Sequence, residues 1–557
     1  MKRKIFSIIL VGAMLLTGCT GGGAATTDTG NNTNGGGDAQ TTADADTDEG
    51  EARVVTTALM ASAVQTFRDD DTWDDNVWTR LIKDELNVDV EVTFTADSAT
   101  DAYKNQMSLL LASGDFPDVL CFDDGVWLEA AVKGGYVMDI TDVFEEYASP
   151  EVKAYRDRYP ESFEGVSFDG RLYGIPHMND NFHNSSYLWI RDDWLEYAGG
   201  KAPETVEEMV EMAKLFATGD PDGDGIDGNT YGLGLARNVI ENNFGTLGGL
   251  FAAHGVPNYG DSGIFYRDSN NDMTFSYIQP EVKEALGVVK ELFDAGAIDP
   301  EFVAKDLSAL ETDIALNNIG MGYHMNWGTW HPFAGIYSED GVITRPYPVP
   351  KAAGHDVLQG TRSNAISVFF VVGANAEHPE AIMEILNLYY DVAVNGTQEQ
   401  FLTYWADEQY RFAPIFLGIP GENYSDEVIA ALQAGDAGDL RGQALEYYNY
   451  VVGFEDGSLA DDMNAYGTWG QMFERGSMAI AMEERDNGQQ MPNAMADKIP
   501  ESWQQDASTL VDMARTNFVA FITGTRDLEE FDDYVQEWLD AGGAATLAEM
   551  EELYPAN

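Results

Sequence analysis

The pattern between residues 53 and 122 sets the tightest limit on what this chain can fold into. "RVVTTALM" reads as a strand, and "DDTWDDNVWTRLIKDEL" carries Trp73, Val77, Trp78, Leu81 and Ile82 at helical spacing. "VDVEVTF" alternates, so that Val88, Val90, Val92 and Phe94 share one face; "DAYKNQMSLLLASG" is helical again, and "DFPDVLCF" returns to a strand. Apolar residues three and four apart mark one face of a helix, whereas strict alternation marks a half-buried strand. Strand and helix in that order predict a mostly parallel sheet with crossover helices, which places the chain in the α/β class.

Later segments repeat the theme at wider spacing. In "PETVEEMVEMAKLFA", Thr205 and Glu208 are placed as a capping box, with Val206, Met209, Val210 and Ala213 on one stripe. "QPEVKEALGVVKELFDAG" and "HPEAIMEILNLYYD" each begin with proline in the first turn and keep the helical period. "AISVFFVVG" is a continuous apolar run, as a buried central strand requires. "DLEEFDDYVQEWLDAGG" turns Leu528, Phe531, Tyr534, Val535 and Trp538 inward. Residues 53–557 are too many for one core and predict two large lobes.

The N-terminus predicts export. "MKRKIFSIILVGAMLLTGC" has a basic start and an apolar run too short to span a bilayer, followed by small residues and a cysteine. "LTGC" resembles the bacterial lipobox, which implies removal of residues 1–18 and a diacylglycerol on the sulfur of Cys19. Residues 19–52 then read as the lipidated cysteine and a Gly-, Thr- and Asp-rich tether that cannot bury enough apolar area to order itself. Its r.m.s. reach is roughly 30 Å. With Cys19 lipidated, Cys121 has no disulfide partner, and its apolar setting predicts burial. The signal takes three of the 31 basic residues, leaving 28 against 95 acids, a mature charge of about −67. Such a field excludes nucleic acid and an anionic membrane surface as partners, so the membrane is met only through the anchor.

"LLLASGDFPDVL" (109–120), "GGYVMDITDVFEEYA" and "GRLYGIPH", in that order, resemble the extracellular solute-binding proteins of ABC importers, family 1, the carbohydrate-binding lipoprotein branch of Gram-positive bacteria. "YLWIRDDWLEYAG", "KELFDAGAIDPEF", "IALNNIGMGYHMNW" and "TNFVAFITGTRDLEEFDDYVQEWLDAGG" extend the resemblance from about residue 53 to the C-terminus. It implies two α/β lobes of the periplasmic-binding-protein type, joined by crossing segments and closing over a ligand. On that pattern residues 53–177 open lobe 1, 178–362 lobe 2, 363–413 return to lobe 1, and 414–557 complete lobe 2 with C-terminal helices. The implied function is capture of a carbohydrate, an oligosaccharide, and delivery to the permease's transmembrane subunits, by a monomer that is not an enzyme. A surface glycoside hydrolase and a calcium-stabilised binder of a non-sugar solute stand as the alternatives.

"GDPDGDGIDGNTYG" (219–232) places Asp220, Asp222 and Asp224 at alternate positions, the arrangement that offers oxygens to a hard cation such as Ca²⁺. Counted as an EF-hand loop, the carbonyl of Ile226 is seventh and Tyr231 stands where a bidentate Glu is needed. The pattern therefore argues against a sensor EF-hand. The resemblance implies a structural calcium clip, with one extra residue here that leaves Asp227 or Asn229 to supply the remaining oxygen. An acidic turn without metal is the other reading.

A sugar presents apolar C–H faces to flat aromatic rings and hydroxyls to polar groups. "GYHMNWGTWHPF" lies where the resemblance implies a stacking tryptophan, making Trp327 the first candidate and Trp330 the second. Trp127, with Asp123 and Asp124, follows the third strand; Asn179 and Asp180 lie at the expected crossing; Arg362 precedes the returning strand; Trp469 completes the set. Trp194 and Trp538 fall on amphipathic helix faces and read as core. The seven histidines have no zinc-site spacing, and the chain carries no nucleophile elbow, Walker loop or dinucleotide fingerprint.

Overall fold

The computed structural model describes residues 52–61, 67–68, 70–97, 101–122, 125–178, 185–240, 244–259, 263–361, 366–405, 409–417, 421–495 and 499–556. Cys19 and the tether up to Glu51 lie outside them, as do Asp123, Asp124, Asn179, Asp180 and Arg362. Among the described residues, two main sheets are built from β1 (Arg53–Ala61), β2 (Val88–Asp97), β3 (Val119–Phe122), β4 (Gly174–Met178), β5 (Tyr187–Arg191), β6 (Tyr231–Leu233), β7 (Ile319–His324), β8 (Thr344–Tyr347) and β9 (Ile366–Val372). The first sheet has the order β2-β1-β3-β9-β4, the second β8-β5-β7-β6.

Each sheet is α/β and mostly parallel in strand direction, with one exception apiece. The helices Val77–Leu86 and Asp101–Ser113 carry the chain back, so that β1 runs parallel to both β2 and β3. β9 alone is inverted, antiparallel to β3 on one side and β4 on the other. In the second sheet β6 pairs in parallel with β7, while β5 is antiparallel to both β7 and β8. The inverted strands share a cause. β5 is the first strand after the chain leaves the first sheet, and β9 is the first after it returns. Neither is preceded by a crossover helix in its own lobe. Each enters where its neighbours end: Tyr187 opposite His324, and Ile366 opposite Met178. The carboxyl edges of both sheets therefore border the same crossing segments.

Packing follows the strand period. Leu188 and Ile190 of β5 belong to a core with the helices Val206–Thr218, Pro280–Asp294 and Glu501–Thr523. Tyr187 and Trp189, pointing the other way, belong to a second core with Gly442–Glu455 and Met463–Met472. The first sheet packs its own core, including Cys121, with Trp78 stacked on Tyr389; that core runs on through Phe412, Ala413, Ile415 and Leu417. Trp194 and Trp538 are fully buried. Trp194 covers Gly320 of β7, where a Cβ would stand 1.9 Å from the indole Cε3, so only glycine fits. The helix at Val206 is capped by Thr205, but Glu208 reaches back to the amide of Glu204, one residue before the cap, so the expected box closes one residue early.

Candidate ligand-binding site

In open α/β sheets, ligands sit beyond the carboxyl ends of the strands. On the first lobe that edge is marked by the ends of β1, β2, β3 and β4. The helix Gly125–Gly134 begins just past β3, and its first turn holds Trp127, half-buried with its ring edge-on to Phe122 at 6.2 Å.

On the second lobe the edge is occupied by residues 325–333, which leave the end of β7. Buried hydrogen bonds hold this loop along its length. Trp189 Nε1 donates to the carbonyl of Met325 at 3.0 Å, Ser477 Oγ to that of Asn326 at 2.6 Å, and Thr329 Oγ1 to that of Gly467 at 2.9 Å. His324 Nε2 donates to the carbonyl of His331 at 2.8 Å, closing the loop on its own strand. The amides of Trp330 and His331 both donate to the carbonyl of Trp327, which folds the two tryptophans into one tight turn. Trp327 is half-buried, braced edge-on by His324 at 4.3 Å. Trp330 is 37% exposed and lies over Gly467, where a Cβ would stand 2.3 Å from the indole.

Thus the structure brings Trp327 and Trp330 together on a braced platform, and it places Trp469 elsewhere. Trp469 is 3% exposed, stacked on Phe473 at 4.5 Å and capped by the Arg345 guanidinium at 4.8 Å. Both partners occupy its ring, so we reassign it from the ligand set to the core. Two polar features beside the platform escaped the sequence reading. His331 Nε2 lies 2.7 Å from Glu311 Oε1, a carboxylate from the helix Leu307–Ala315, too distant in sequence for spacing to suggest. Asn326 is 2% exposed, its Nδ2 3.3 Å from Met478 Sδ, and its Oδ1 is buried without a hydrogen-bond partner among the described residues.

The acidic loop joins the helix Val206–Thr218 to β6. It is pinned by Thr230 Oγ1 to the carbonyl of Phe216 (2.7 Å) and by the Gly228 amide to the carbonyl of Gly219 (2.8 Å). Gly223 and Gly225 adopt φ of 73° and 89°, left-handed turns that swing alternate carboxylates inward. One oxygen each from Asp220, Asp222 and Asp224 lies within 4.8 Å of the others, and Asp220 Oδ1 is buried without a partner among the described residues. Burial, then the hydrogen bond with Asp220 and the charges of its neighbours, raises the Asp222 pKa above the usual carboxylate value. A cluster of this kind fits a hard cation, which would relieve both features. Asp227 lies outside the group, and Asn229 Nδ2 donates to Asp224 Oδ2 at 2.9 Å, tying that carboxylate from the side. Ile226 donates its amide to Asp224 Oδ1, and Tyr231 opens β6.

The sequence pattern of the bacterial extracellular solute-binding proteins matches residues 66–396. The polygalacturonan/rhamnogalacturonan-binding protein YtcQ of Bacillus subtilis is 27% identical over 218 residues, 39% of this chain and 40% of the relative, so the match spans under half of YtcQ. Lipoprotein LipO of the same organism is 21% identical over 477 residues, 84% of this chain and 87% of LipO. Among solved structures, the Streptococcus pneumoniae ABC-transporter substrate-binding protein FusA in complex with kestose shares the fold, with a TM-score of 0.62 at 16% identity, covering 90% of this chain and 99% of that one. An EF-hand mutant of FusA, in complex with fructo-nystose, superposes with a TM-score of 0.57 at 17% identity, covering 90% and 99%. Over more than half its length this sequence carries the pattern of one family: it is a bacterial extracellular solute-binding protein.

Proposed function

We propose that this chain is the substrate-binding component of an ABC importer, held to the outer face of the cell membrane by a lipid on Cys19. It captures a carbohydrate, an oligosaccharide, and passes it to the permease's transmembrane subunits without chemistry on the ligand. The observation that carries this reading is the shared edge: two sheets turn their carboxyl ends to one set of crossing segments, and a braced pair of tryptophans stands on one side of it. The relatives supply further support. YtcQ is described as binding polygalacturonan and rhamnogalacturonan, FusA is complexed with kestose, and LipO is a lipoprotein.

Binding works by closure. A ligand that touches both lobes has higher affinity for the closed arrangement and shifts the population toward it by that difference. Trp327 and Trp330 supply the stacking faces from the second lobe, and Trp127, with the residues just past β3 and β4, supplies the first-lobe side. In the acidic loop, Asp220, Asp222 and Asp224 hold a calcium ion as a clip between a helix and β6, apart from the sugar. The EF-hand of FusA supports this assignment.

The test is a thermal-shift screen of the purified chain against a glycan panel that begins with kestose. Ligand at a hundred times its dissociation constant adds about 2.7 kcal/mol, a visible rise in midpoint. A sugar that stabilises the protein and is recovered intact supports the reading. A sugar recovered cleaved replaces it with a hydrolase, and stabilisation only by non-sugar solutes replaces the ligand class.

A further inference from the structure

The crossing segments are joined at both ends, by different means. On the first-lobe side, β4 and β9 are tied by the backbone ladder that pairs Met178 with Ile366. On the second-lobe side, the strand Gln359–Thr361, which precedes the return, pairs with Gln490–Pro492 and, among the described residues, not with the outgoing segment. A side chain spans that gap. Gln359 Oε1 accepts the amide N–H of Ser186 at 3.2 Å, and its Nε2 donates to the carbonyl of Ser186 at 2.8 Å. One primary amide thus makes the reciprocal pair of bonds that a neighbouring strand would make. Gln359 is 1% exposed, and the second hydrogen of its Nε2 goes to Glu484 Oε1 at 3.3 Å.

Glu484 is a carboxyl group on the inner face of the helix Ser477–Asp486, in line with Ser477 and Ala481. It is 5% exposed, and its Oε2 has no hydrogen-bond partner among the described residues. Burial pushes its pKa up to about 8, the Gln359 bond pulls it down, and the Glu483 carboxylate pushes it further up. Among the described residues, the surrounding elements bring no cation to it. Arg345 of β8 is held by Asp192 at 2.8 Å, and Arg485 lies 3.1 Å from Asp486 and 3.9 Å from Asp426 of the helix Gly421–Ala434. Asp426 and Glu427 on that helix are exposed acids, and the helix Met463–Met472 carries no charge.

We propose that Gln359 is a positioning residue of the hinge, locking the two crossing segments together at Ser186, and that loss of the Glu484 proton unlocks it. A neutral acid leaves the Gln359 amide shared between Glu484 and Ser186. A buried carboxylate without a counter-ion must draw in water or move outward, and either disrupts the helix packed over Gln359. The tie between Gln359 and Ser186 is then lost on the second-lobe side, and closure loses its fixed axis. This rests on the closure reading above, but its test needs no ligand.

Hydrogen exchange of the full chain, measured without sugar from pH 6.5 to 9.5 and corrected for intrinsic base catalysis, reads the lock at the Ser186 amide. The helix Pro280–Asp294 serves as reference. In the wild type, protection at Ser186 falls by about tenfold or more as the proton leaves, while the reference holds. Glu484→Gln keeps protection at every pH, and Gln359→Ala lacks it at every pH. Wild-type protection that does not change with pH overturns the proposal, as does a Glu484→Gln protein that follows the wild-type curve. If Glu484→Gln does not fold, the wild-type profile set against Gln359→Ala still decides. A glycan screen without hits leaves this result untouched, so the two readings fail separately.

Discussion

Two tryptophans show what one residue contributes by where it stands. Trp469 is enclosed by Phe473, Tyr466 and Arg345, so its removal leaves a cavity and takes the ring from beside the Arg345 guanidinium. Trp469→Ala lowers the unfolding free energy by about 3–5 kcal/mol, read as an earlier urea midpoint. Trp327→Ala, at a half-buried position, costs roughly half of that or less and instead abolishes the thermal shift produced by the sugar. Equal stability losses from the two variants would refute this division of roles. The sequence distinguished some tryptophans and not others. Trp194 and Trp538 sit among apolar residues at helical spacing, and both are buried. Trp469 lies between glycines in "GTWG", which are poor helix formers. Those glycines instead serve close packing: Gly467 receives the ring of Trp330, and Gly470 receives Thr329. Glu484 left a signal that went unread, a charged residue on the apolar stripe of its helix.

At the scale of an element, the loop between Val206–Thr218 and β6 concentrates three carboxylates on a stretch too short for an apolar core. Without a cation they repel one another, and Asp222 in particular holds its proton more tightly. Chelator therefore lowers the thermal midpoint of the wild type and leaves that of Asp224→Asn unchanged, with the mutant already at the chelated value. A wild-type midpoint indifferent to both calcium and chelator would reduce the loop to an acidic turn. The alternate aspartates were legible because loop chemistry depends on local spacing. The place of Asn229 was not, because three left-handed glycines bring its amide onto Asp224. The three strands of the first two crossovers were legible for the same local reason. The inverted directions of β5 and β9 were not, since they follow from where the chain re-enters a sheet, which no periodicity records.

The whole chain carries a formal net charge of −64, with cations already engaged in pairs such as Arg53–Glu384, Arg171–Asp139 and Arg267–Glu551. Self-repulsion of that size opposes the compact state and is screened within a Debye length of about 10 Å at 0.1 M salt. The thermal midpoint accordingly rises as sodium chloride is raised from about 0.02 to 1 M, and the Trp469→Ala deficit stays constant across the series. A midpoint independent of salt would mean the acids are spaced widely enough not to sense one another. No helix among the described residues is long and apolar enough to cross a membrane, and the solvated acidic surface agrees with that.

The inverted strands also govern the order in which the protein can be made. Phe122 of β3 bonds to a strand that begins at Ile366, and Met178 waits for the same one. Tyr187, in turn, needs His324 and a layer of helices that comes later still. A nascent chain emerging N-terminus first can therefore finish neither sheet early, because each wants a partner not yet made. Long-range pairings of this kind delay folding. The topology that inverts one strand in each sheet thus also makes each sheet wait for most of the chain to be synthesised.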